Sequence, residues 1–152
     1  MKTSRRLLVS VLVLVLTATG CATVNTMKAA SDSTGRTITF SAPYPQVFSA
    51  SVTALQNLGF QLNDYSEAGH HIYGKHGMSA FSWGEVAGLR FKEIGETSTQ
   101  VQIINERVLA TNIFAPDWTE QIRTQIFMEL EQMKARQAAA AQSSGDGGKA
   151  NN

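Results

Sequence analysis

Ten residues, Leu7 to Leu16, form an apolar run broken only by Ser10, behind a basic start that carries Lys2, Arg5 and Arg6. As a helix this run reaches about 15 Å, roughly half a bilayer core, which suits a signal-peptide h-region better than a membrane span. The small, polar Thr17-Ala-Thr-Gly20 follows, and then Cys21, the one cysteine in 152 residues. The start of the chain therefore reads as an address, and the fold has to come from what lies beyond it. A single cysteine also excludes a disulfide framework and a four-thiolate zinc site. The formal net charge is +1, but without Lys2, Arg5 and Arg6 the balance falls to about −2, with no basic patch to argue for a nucleic acid partner.

Ala18-Thr19-Gly20-Cys21 resembles the bacterial lipobox, with Ala18 where Leu is usual. The resemblance implies cleavage before Cys21, a diacylglyceryl thioether on its sulfur and an acyl chain on the new amine. Each buried CH₂ contributes about 0.8 kcal/mol, so several chains on one residue give a stable anchor. Ala22 follows the cysteine, and lipoproteins of this kind without Asp at that place usually go to the outer membrane. The expected location is the inner leaflet of the outer membrane, facing the periplasm.

Residues 22–35 are small and polar and cannot offset chain entropy by burial, so 21–35 is expected to be the lipidated cysteine and a flexible tether. Ser143 to Asn152 has the same character, and 139–152 is expected to be a helix end and a disordered tail. Residues 36–138 remain for one modest core.

Within that span, Arg36 to Ser41 alternates, with Ile38 and Phe40 on one face of a half-buried strand. Pro45 suits a first helical turn. Val47, Phe48, Ser51, Val52, Leu55 and Leu58 then fall within about 140° of helix arc, and Gly59 is placed to end the helix. Phe60 to Tyr65 and His70 to Lys75 read as a hairpin around Ser66-Glu-Ala-Gly69. Val86 to Ile94 and Thr99 to Arg107 read as another around Gly95-Glu-Thr-Ser98. In the second hairpin Leu89, Phe91, Val101 and Ile103 oppose Arg90, Lys92, Gln100 and Gln102. Asp117 with Glu120 predicts a capping-box start. Trp118, Ile122, Ile126, Leu130 and Met133 form one stripe within about 120°, and Ala138 to Ala141 lets the helix run on. The expected class is α+β: an antiparallel sheet of about five strands with two helices on one face, in the order strand, helix, four strands, helix.

Pro45 to Phe60, Asp64 and Gly69-His-His-Ile-Tyr-Gly74 together resemble small envelope lipoprotein domains with a Leu-Gly-Phe helix exit and a Gly-x-x-Ile-x-Gly hairpin. The arrangement is similar to the helix-grip domains of the BamC-like lipoprotein subunit of the outer-membrane β-barrel assembly machine. The likeness implies a single domain of that type.

The chemistry is sparse. His70, His71 and His76 alternate in facing along a regular strand and do not converge on one ion, so no metal site is assigned. Asp64 and Glu67 read as turn and solvent residues. No nucleophile elbow, phosphate loop or dinucleotide fingerprint is present, and no catalytic residue or cofactor is assigned beyond the covalent lipid on Cys21. Met78, Phe81 and Trp83, set among Gly74, Gly77, Gly84 and Gly88, either plug the open end of the core or form an aromatic surface for a partner or the membrane interface. The function expected is a lipid-anchored, non-enzymatic interaction or accessory module that touches the membrane through its anchor and meets an envelope protein partner. The alternative is a carrier of a small apolar ligand held between sheet and helix.

Overall fold

The short strands and two amphipathic stripes of the sequence find each other across a single sheet. The computed structural model describes residue 28 and residues 34–77, 84–107 and 117–146. In order, the elements are β1 (Arg36–Phe40), α1 (Tyr44–Asn57), β2 (Phe60–Ser66), β3 (His71–His76), β4 (Glu85–Gly95), β5 (Ser98–Arg107) and α2 (Thr119–Asp146). The strands lie in the order β1-β5-β4-β3-β2, every pair antiparallel. The fold is α+β, with a five-stranded antiparallel sheet and two helices, an arrangement of helix-grip type.

Register decides the faces. Leu89 stands opposite both Ile72 and Ile103, and Phe91 opposite Val101. These side chains share one face and join Phe40, Val47, Phe48, Leu55, Phe60, Ile122, Ile126 and Leu130 in the core. Both helical stripes therefore bury against the same inner face. Leu55, Ile122 and Ile126 are wholly buried, while Val52, Leu58, Trp118 and Met133 pack at its margin.

The helix ends follow their local chemistry. At the start of α1 the Pro43 carbonyl accepts from the amides of both Gln46 and Val47, each at 3.1 Å. At its end Gly59 takes φ +84°, a conformation that Gly reaches without a Cβ penalty, and Phe60 returns into the core. At the start of α2 the Asp117 carboxylate accepts from the Thr119 amide at 2.9 Å. The expected capping box is only half made. Instead of reaching back, Glu120 turns sideways to Arg123 at 2.7 Å and to Arg36 at the start of β1. A guanidinium is a stronger donor to the carboxylate than the neutral backbone amide is.

Three further expectations are revised. His70 is not part of a strand but ends the turn at φ +54°, so β3 begins at His71. The second helix reaches Asp146, four residues into the stretch read as flexible tail. The alanines from Ala138 to Ala141 supply helix propensity, and extending an existing helix costs far less than nucleating one. Lastly, the described part of the segment read as tether is held against the sheet. The Lys28 carbonyl accepts from Arg90 at 2.9 Å, its ammonium pairs with Asp64, and the Thr34 carbonyl accepts from Gln102 at 2.7 Å. Gly35 then lets the chain enter β1: at φ +79°, a Cβ there would stand 2.2 Å from the Ile103 carbonyl oxygen.

Candidate functional site

The face of the sheet turned away from the helices is not a plain solvated surface. Tyr73, Val86 and Ile104 point to it, since each alternates with an inward residue on its strand, and all three are buried. Over part of this face lies a groove of about 440 Å³. Its floor comes from the central strands: Arg90 and Lys92 on β4, with Gln102 and Gln100 directly opposite them on β5. On the other side of Arg90 stands His71 of β3. Cross-strand neighbours of this kind sit about 4.5–5.5 Å apart, so these polar groups form a compact lattice. No carboxylate stands among the described residues that line the groove.

Several contacts fix this lattice. The Arg90 guanidinium donates to the Tyr73 hydroxyl at 3.4 Å and to the Lys28 carbonyl at 2.9 Å. His71 Nδ1 lies 3.0 Å from the Gly69 carbonyl, and its Nε2 lies 3.4 Å from Asp64. Asp64 is thus a strand residue rather than the turn residue expected, still partly exposed but paired. Hydrogen bonds from Lys28 and then His71 hold its carboxyl below the usual carboxylate range. A bulge between Leu62 and Asp64 turns that carboxylate toward the outer face. At one end of the groove the His70 ring stacks on Tyr44, centroids 4.6 Å apart and 20° between planes. Burial, and after it Glu67 and Glu93, raises the Tyr44 hydroxyl above the ordinary phenol range, and that hydroxyl donates to the Glu67 carbonyl.

A second polar cluster closes the opposite end of the inner core. His76 faces Glu85 across β3 and β4, with Nδ1 3.5 Å from a Glu85 carboxylate that is only 1% exposed. The His76 ring lies 4.7 Å from that of Trp118, which meets Phe60 edge-on at 5.4 Å. Trp118, first residue of the apolar stripe read from the sequence, therefore packs against the edge of the core. His71 faces outward and His76 inward, as expected of a regular strand, but His70 belongs to the turn and lines the groove together with His71 rather than taking the opposite face. Among the described residues, no three of His, Cys, Asp and Glu come together as metal ligands. Cys21, Met78, Phe81 and Trp83 lie outside the described residues, which resume at Gly84 and the buried Glu85 that opens β4.

Sequence reasoning missed two features. One is the Lys28–Asp64–His71 group. The other is the buried Glu129 carboxylate between the helices, which accepts from Asn57 at 2.8 Å and Gln125 at 3.1 Å.

No protein-family model matches the chain, and no curated protein matches it. Among solved structures it is similar to the di-domain ARO/CYC StfQ from the steffimycin biosynthetic pathway, at 14% identity and a TM-score of 0.42, over 62% of this chain and 42% of that one. It is also similar to the adenylate sensor from AMP-activated protein kinase in complex with ZMP, at 13% identity and a TM-score of 0.44, over 64% of this chain and 98% of that one. The chain spans less than half the length of the first. These are likenesses of fold alone.

Proposed function

We propose that the protein is a lipid-anchored, non-enzymatic module of the cell envelope. In this reading it is held at the inner leaflet of the outer membrane, faces the periplasm, and meets an envelope partner as BamC-like helix-grip domains do. The observation that carries this is Cys21, placed directly behind the basic start, the apolar run Leu7 to Leu16 and the small residues Ala18-Thr19-Gly20. The contacts of Lys28 add a geometric consequence. The chain from Cys21 to Lys28 spans at most about 25 Å when fully extended, so a lipid on Cys21 would keep the outer face of the sheet within that reach of the headgroups.

The alternative, an apolar carrier with its ligand between sheet and helix, has less support. Leu55, Leu89, Ile103, Ile122 and Ile126 meet there with no exposure, and the 440 Å³ groove lies on the other face. Mass spectrometry of the mature N-terminus tests the proposal. A triacylated Cys21 is expected in the wild type, and Cys21→Ser should leave the signal uncleaved by the lipoprotein peptidase. A free amine at any other residue would sink the anchor.

A further inference from the structure

We propose that the groove on the outer face of the sheet binds a compact oxyanion, a phosphate or carboxylate group carried by a larger molecule. Its polar groups are arranged as a lattice. A row of polar side chains crosses four strands: His71 of β3 faces Arg90 of β4, Arg90 faces Gln102 of β5, and Gln102 faces Thr37 of β1. One step along, Lys92 faces Gln100, about 7 Å from the first row on the same face. Two obligate cations thus project from β4 beside two amides from β5. A guanidinium next to an ammonium recognises an oxyanion through charge-assisted hydrogen bonds, and amide N–H groups complete its coordination.

Two observations strengthen the assignment. First, the Arg90 side chain is held in place by the Tyr73 hydroxyl and the Lys28 carbonyl, so little of its rotamer freedom remains to be lost on binding. Second, Asp64, the carboxylate that the described contacts place beside His71, is already paired with Lys28 and His71. The described lining holds no carboxylate and mixes polar side chains with apolar surface. That combination disfavours a cation. The volume, about 440 Å³, lies within the range of small-molecule sites, so there is room for more than a bare anion.

The site does not depend on the anchor, and a chain found unacylated would leave it untouched. The test uses the full chain in neutral maltoside micelles, titrated separately with inorganic phosphate, with acetate, and with phosphatidylglycerol doped into the micelles. Backbone amide shifts report where each probe acts. Saturable shifts centred on Arg90, Lys92, Gln100 and Gln102 are expected, at least tenfold weaker in Lys92→Gln and in Arg90→Gln, and unchanged in Lys75→Gln on the same face outside the groove. Phosphatidylglycerol saturating at least tenfold more tightly than phosphate would identify a lipid headgroup as the source. Equal or weaker action by the lipid would identify a soluble phosphate or carboxylate compound as the source. Absence of saturation up to about 10 mM, where even millimolar affinity would show, overturns the proposal. So does weakening by Lys75→Gln equal to that by Lys92→Gln, which marks diffuse electrostatics.

Discussion

The two faces of the one sheet have opposite chemistry and opposite degrees of closure. On the inner face, β-strand alternation and helix periodicity agree, and apolar residues from all seven elements meet in one buried cluster. On the outer face, the same strands present arginine, lysine, glutamine and histidine around a groove, steadied by a segment from before β1. The difference teaches where change is tolerated. Removing atoms from the inner face opens a cavity in a close-packed interior, whereas removing a charge from the outer face alters what the surface can bind.

The largest expected effect is on the inner face. Ile126→Ala and Leu55→Ala remove side chains with no exposure from the core, and each should cost roughly 2–5 kcal/mol in denaturant unfolding. A loss within about 0.5 kcal/mol at both would show that the helices do not close the core as described.

Gly35→Ala tests the seam between the faces. The new Cβ would collide with the Ile103 carbonyl at 2.2 Å, at a φ of +79°, so a loss of about 1–3 kcal/mol is expected from strain. Melting unchanged by this variant would mean that the chain can enter β1 by another route.

The smallest effect concerns the Lys28 strap. The Asp64 carboxyl is held below its ordinary range chiefly by Lys28 and then by His71. A depressed folded-state pKa contributes above the unfolded value and is lost as pH falls through the folded one. Contacts of Lys28 with the sheet should therefore hold at neutral pH and loosen only as acid takes the solution below the usual carboxylate range. The Lys28 amide shift followed against pH reports this, and Asp64→Asn should abolish the step. A step centred near neutrality instead would contradict the linkage to Asp64.

How much of this was legible in the sequence differs by face for a physical reason. Inner residues such as Ile38, Leu89, Ile122 and Leu130 announce themselves through periodicity, because burial requires apolar side chains at each turn or each second residue. Polar alternation at Arg90, Lys92, Gln100 and Gln102 says only that these residues avoid the core. Which of them meet depends on cross-strand register, and the Asp64–His71 pair depends further on a bulge. Neither leaves a local signal. His70 was misplaced because nothing in His70-His-Ile-Tyr distinguishes a left-handed turn residue from a first strand residue. The end of α2 was misplaced because Ser143-Ser-Gly-Asp is poor helix sequence considered alone, yet it continues a helix already formed.

The contrast between faces is tested most directly by melting wild type and Lys92→Gln with and without inorganic phosphate. Lys92 is exposed, so its variant should melt with the wild type in the absence of phosphate. A ligand that binds only the native state raises the melting temperature, so phosphate should stabilise the wild type and leave Lys92→Gln nearly unmoved. A variant that melts well below wild type without phosphate, or one that keeps the full phosphate shift, would contradict the account.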